Sequence, residues 1–183
     1  KVYCEKLKMF FLDCQQRFDV NYWKLDGFLV RPPQPDPQGN YISGGYQGMC
    51  YVTEHWERWI DIFQAMRDQR GAKRNDLWIN LTCCVNPSPW FLKWVNSVWM
   101  QNSQDIGRLN VKRPSQLDQL LSYRDDRYFD FVKTRAFQFP LAHLYNHDPI
   151  YGNTANLAGK MNDDEFRTYL MMMATRGTAF WEL

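Results

Sequence analysis

Apolar residues recur at helical spacing over 4–17, where Leu7, Phe10, Phe11 and Cys14 share a stripe. A short apolar run over 20–26 then reads as a strand. Residues 30–50 break the pattern with Arg31-Pro32-Pro33-Gln34-Pro35-Asp36-Pro37 and Ser43-Gly44-Gly45-Tyr46, which predicts a long loop. Thr53 opens a second helix, with Trp56, Trp59, Ile60, Phe63 and Met66 on one face and a stop signal at Arg70-Gly71. A buried strand is predicted over 76–84, a short helical segment over 86–94 and another strand over 97–101. The polar run Asn102-Ser103-Gln104-Asp105-Ile106-Gly107 ends that strand. A broken helical stretch spans 114–135, and 137–144 is a strand candidate weakened by Pro140. Asn162-Asp163-Asp164-Glu165 reads as a capping box before a helix over 166–175, and 178–183 as a last strand.

Strands alternating with helices predict an α/β fold with a parallel sheet. Polar residues collect just after each strand: Asp26, Asn86, Asp105, His147 with Asp148, and Glu182. Parallel sheets and barrels bind ligands at the C-terminal ends of their strands. No GxGxxG or GxxxxGK[ST] loop occurs, so dinucleotide and P-loop readings lack their fingerprint.

Lys24 and Asp26 stand two apart in an aromatic and aliphatic run, so on a strand they share a face. Charges there are costly to bury without partners. The pair is either a structural salt bridge or part of a site. Two carboxylates at neighbouring strand ends, such as Asp26 and Asp105, suit glycoside hydrolysis, one as nucleophile or base and the other as proton donor.

Composition narrows the alternatives. The chain has 183 residues, 45% hydrophobic and 23% charged, an ordinary globular balance for one domain with no internal boundary. With 22 basic and 20 acidic residues, a net charge of +2 and no basic stripe, nucleic acid is a poor candidate partner. No apolar run of about 18 residues suggests a membrane span. The five cysteines (4, 14, 50, 83 and 84) lack CxxC spacing and are odd in number, which argues against a disulfide framework and leaves the compartment open. Eight tryptophans are present, and Trp23, Trp90 and Trp99 are candidate sugar platforms with core packing as the competing role.

Tyr22-Trp23-Lys24-Leu25-Asp26 resembles the lysine-x-aspartate strand end of the α-galactosidases (melibiases), glycoside hydrolase families 27 and 36 and their relatives. Trp99-Met100-Gln101-Asn102-Ser103-Gln104-Asp105 is similar to their sixth strand and its loop. Gly177-Thr178-Ala179-Phe180-Trp181-Glu182-Leu183 is similar to the eighth strand of family 36. The resemblance implies a partial (β/α)8 barrel, strands four to eight, with strands one to three upstream. It implies Asp26 as nucleophile, Asp105 as acid/base and Lys24 as a contact for sugar hydroxyls. The implied reaction is retaining cleavage of terminal α-linked galactose-type sugars on an oligosaccharide or glycoconjugate, with no cofactor and no metal. Leu25 stands where many relatives have Trp, and Thr82-Cys83-Cys84-Val85-Asn86-Pro87 lacks the glycine-rich stretch usual in family 36. These departures point to a modified sugar, such as an N-acetylated one.

Those roles set physical requirements. Asp26 must be ionised, which Lys24 beside it favours. Asp105 must hold a proton, which an apolar wall such as Trp99 and the charge of Asp26 favour. Retention places the two carboxyl groups about 5–5.5 Å apart. Arg124, within Arg124-Asp125-Asp126-Arg127, is a candidate sugar ligand or part of a solvated helix face. Asn86, His147 and Asp148 are candidate polar contacts at strand ends. His143 and His147 have helical metal-ligand spacing, but Pro140 and Pro149 argue against a helix there. The sequon Asn80-Leu81-Thr82 falls in a buried strand, Met171-Met172-Met173 reads as helix packing, and Glu182 ranks below Asp105 as the acid. The rival readings are a carbohydrate-binding or structural α/β module, and a retaining barrel glycosidase with another sugar preference. Both ends of the segment read as cuts in a longer protein. Alone, it is expected to be inactive or poorly soluble, with a sheet edge and a barrel face exposed.

Overall fold

A computed structural model of the chain describes residues 2–27, 49–71, 74–82, 85–104, 115–148 and 161–179. The fold is α/β, with four α-helices and four short strands, paired in parallel, among the described residues. Two compact units form, Lys1–Cys84 with Trp94–Asn96, and Val85–Lys93 with Ser97–Leu183.

In the first unit, α1 (Val2–Arg17) leads into β1 (Tyr22–Leu25), and α2 (Met49–Gly71) leads into β2 (Trp78–Leu81). The strands pair in register, Tyr22 with Trp78, Trp23 with Ile79, Lys24 with Asn80 and Leu25 with Leu81. Partners in register share a face, so Trp23, Leu25, Ile79 and Leu81 form one apolar side. Trp23 meets Phe11 of α1 edge to face at 4.9 Å, a geometry contributing about 0.5–1.5 kcal/mol beyond area burial. Tyr22, Lys24, Trp78 and Asn80 form the other side. There Asn80, fully buried, donates from Nδ2 to the Tyr22 hydroxyl (2.5 Å) and accepts at Oδ1 from Trp78 Nε1 (2.6 Å). Its amide is committed to the sheet, so the sequon is no glycan acceptor in the folded chain. Helix α2 buries Ile62, Phe63, Met66 and Arg70 along one stripe, and Gln15 of α1 donates to the Met66 carbonyl at 3.1 Å.

In the second unit, a 3₁₀ turn (Pro89–Lys93) is followed by β3 (Ser97–Trp99), α3 (Gln116–Phe129), β4 (Leu144–Tyr145) and α4 (Asp163–Arg176). Strands β3 and β4 pair through Val98 with Leu144 and Trp99 with Tyr145, and Tyr145 bridges Ala179 in parallel. Leu117, Leu120 and Leu121 of α3 pack on Tyr169 and Met173 of α4. Met173 is thus core while Met171 is exposed, the alternation a surface helix imposes on three successive methionines. Asn162 caps α4 with Glu165 in a reciprocal box, and Gly177 ends it at φ 71°, a left-handed cap that suits glycine.

The elements depart from the sequence expectations in two places. Helix α2 starts at Met49, upstream of Thr53, because no glycine or proline after Gly48 halts it. Residues 137–143 are not a strand, and only Leu144 of the expected stretch enters one. Pro140 has no N–H to give, Phe137 N–H donates back to the Phe131 carbonyl (3.1 Å), and a 3₁₀ turn (Leu141–His143) precedes the short β4. The break expected within 114–135 is a π turn, Asp130–Thr134. Most of the long loop, Cys83, Cys84, Asp105 and Glu182 lie outside the described residues.

Candidate functional site

Asp26 follows β1 directly, at its C-terminal end. Lys24 Nζ lies 4.0 Å from Asp26 Oδ2, and their side chains are 28% and 53% exposed. The backbone turns at Gly27, whose φ of 78° favours glycine and brings its N–H to Asp26 Oδ1 at 2.6 Å. An exposed carboxylate, fixed by a backbone donor with a cation at the outer limit of ion pairing, has the geometry of an accessible nucleophile or ligand group. Trp23 points to the opposite side of the strand and packs on α1, so it serves the core.

The other end of the same strands is arranged differently. Arg70, 6% exposed at the end of α2, donates from Nε and Nη2 to the two oxygens of Asp76 (2.7 and 3.0 Å) and from Nη1 to Asp19 Oδ1 (3.0 Å). Arg74 Nη1 reaches both Asp19 oxygens at 2.8 Å. These guanidinium groups hold both carboxyls below their ordinary 3.8, Arg70 acting on Asp76, and Arg74 then Arg70 on Asp19. A cavity of about 350 Å³ opens beside this network, lined by Gln15, Gln16, Asp19, Gln69, Arg70 and Arg74. Neither Lys24 nor Asp26 lines it, and its charges already satisfy one another.

In the second unit the strand ends carry a buried polar cluster. Arg124 is fully buried on the stripe of α3 that also carries Leu117, Leu120, Leu121 and Tyr128. It donates from Nε to Asp148 Oδ1 (3.1 Å), and from Nη1 to Ser103 Oγ (2.7 Å) and to the Gln104 carbonyl. The Tyr169 hydroxyl donates to the same Asp148 oxygen at 2.6 Å. Burial, and next the charge of Asp148, push the neighbouring Tyr128 phenol up to about 12. Trp99, also buried, donates from Nε1 to Asn146 Oδ1 (3.2 Å), and its ring lies 5.6 Å from that of His147.

The structure therefore brings Arg124 and Asp148 together as a buried ion pair, where neither faces solvent. Of the run 124–127, Asp125 and Asp126 are exposed, but Arg124 is not part of a solvated face. Trp99 packs in the interior, His147 is half-buried beside it, Asn86 is exposed, and Trp90 is half-exposed. Asp105, and with it the separation from Asp26, lies outside the described residues. Ser103, Tyr123, Asn146 and Tyr169 were not anticipated. The available signal was Arg124 itself, a charge on an apolar helical stripe, which requires buried partners. Among the described residues no group of three His, Cys, Asp or Glu side chains could hold a metal ion. No helix among them is long and apolar enough to cross a membrane. No protein-family model, curated protein or solved structure matches the chain.

Proposed function

We propose that the chain is part of a retaining glycoside hydrolase of the α-galactosidase type, built on a (β/α)8 barrel. The observation that carries this reading is the Lys24–Asp26 pair at the C-terminal end of a parallel strand, with the carboxylate half-exposed and braced by the Gly27 N–H. In this reading an Asp26 oxygen attacks the anomeric carbon. The glycosidic C–O bond breaks, and its electron pair leaves on the aglycone oxygen, which takes a proton from Asp105. Water then attacks the anomeric carbon of the glycosyl-Asp26 ester, gives its proton to the Asp105 carboxylate and frees Asp26. Lys24 binds sugar hydroxyls and balances the Asp26 charge. Proton NMR of the first-formed anomer during cleavage of an aryl α-galactoside or its N-acetylated counterpart tests the reading. The α-anomer is expected, whereas the β-anomer, or no turnover of either by the whole hydrolase of which the chain is proposed to be part, overturns it.

A further inference from the structure

We infer that the outward face of α1 is a self-association surface, on which a second copy of the protein lays its own α1 antiparallel about a two-fold axis. The surface lies apart from the strand ends, and the inference does not depend on the catalytic reading. One side of α1 is used within the first unit. Phe11 packs on Trp23, Gln15 donates to the Met66 carbonyl, and Lys8 Nζ donates to Asp61 Oδ2 at 2.8 Å. The opposite side carries Val2, Lys6, Met9 and Asp13 at helical steps of four, three and four, flanked by Tyr3, Phe10 and Arg17 at steps of seven. Val2, Tyr3, Met9 and Phe10 are 71%, 75%, 67% and 56% exposed. Single exposed apolar side chains are ordinary on a surface, but four along one helical stripe form a patch of the kind that marks an interaction site.

The charges on this face select the occupant. Lys6 stands three residues before Met9, and Asp13 three residues after Phe10. The face is therefore symmetric in position and opposite in sign about the midpoint of Met9 and Phe10. An antiparallel copy centred on that midpoint sets Met9 and Phe10 against their equivalents, and Lys6 against the partner's Asp13, twice over. A parallel copy in register would set Lys6 against the partner's Lys6 and Asp13 against the partner's Asp13, two repulsions in place of two attractions. The ion pairs rim a centre of methionine and phenylalanine, residue types enriched in interface cores. Such a contact is isologous and closes on itself as a dimer. Two helices of 16 residues, each about 24 Å long, bury less than the roughly 1,200 Å² of a standard interface, so the association is weak and reversible.

Sedimentation equilibrium of the whole protein of which the chain is proposed to be part tests this. A reversible dimer is expected, with a dissociation constant on the order of 10 µM. Lys6→Glu and Asp13→Lys each replace both attractions by repulsions and are expected to weaken the dimer about tenfold. Both side chains are exposed, so the fold is expected to persist in each variant, which urea midpoints check. An equal mixture of the two variants is expected to regain the parent's affinity. In a mixed pair the two introduced charges oppose each other, and the other Lys6–Asp13 pair is native. Met9→Glu puts a charge at the centre of the face and is expected to leave a monomer. A parent that stays monomeric to about tenfold above that concentration would overturn the inference, as it would if another segment of the same protein covers the face. So would a dimer that any of the three variants leaves unchanged, or a loss in the single charge variants without recovery in their mixture.

Discussion

The two ends of the β1–β2 pair use the same residue types to opposite effect. At the N-terminal end, Asp19, Arg70, Arg74 and Asp76 make short bonds between elements, with Arg70 buried beneath them. At the C-terminal end, Lys24 and Asp26 come only to 4.0 Å, with side chains 28% and 53% exposed. Charges that saturate one another stabilise a fold but have nothing left for a ligand. A carboxylate that is 53% exposed at the C-terminal end of a strand is reachable from solvent. The contrast assigns stability to one end and the candidate site to the other, as parallel α/β architectures do generally.

The sharpest way to break that assignment is Asp26→Asn. Turnover is expected to fall at least about 10³-fold, as when a nucleophile is lost, while urea stability stays within about 0.5 kcal/mol. A stability loss with activity retained would reverse the roles of the two ends. Arg70→Met should behave in the opposite sense. It leaves two carboxylates without their shared donor and is expected to cost about 2 kcal/mol in urea unfolding, with kcat per folded molecule unchanged.

Gly27→Ala probes the junction between chain geometry and site. Nothing crowds a Cβ there, so the cost is the positive φ alone, about 1 kcal/mol. The N–H that braces Asp26 would shift with it, and a drop in kcat larger than that in stability is expected from paired kinetics and unfolding curves.

Acid separates the ends with the smallest effect. Asp19 and Asp76 have folded values below 3.8, so their contribution is complete above that pH and is lost as pH falls through the folded values. Urea midpoints compared at about pH 5 and about pH 3 should therefore converge between the parent chain and Arg70→Met at the lower pH.

How far the sequence revealed this depended on the range of each interaction. The capping box at Asn162 and the helical stripe of α2 were legible because their partners lie within one or two turns. The strand-end placement of Lys24 and Asp26 was legible because a period of two is local. The Arg124–Asp148 pair was not, since its members sit on separate elements and meet only when α3 packs beside the end of β4. The Arg70 network escaped for the same reason: Arg70-Gly71 read as a helix stop, while its carboxylate partners stand ahead of two different strands. The strand expected over 137–144 failed because alternating aromatics outweighed a proline that removes a ladder donor.

Mass mapping of the whole hydrolase of which the chain is proposed to be part, after incubation with an activated 2-deoxy-2-fluoro α-glycoside, tests the central claim most directly. Such a sugar slows the second step and leaves the glycosyl-enzyme ester in place. The added mass is expected on the peptide that contains Asp26, and none on Asp26→Asn. Turnover of the unmodified glycoside with the label on another carboxylate would contradict it.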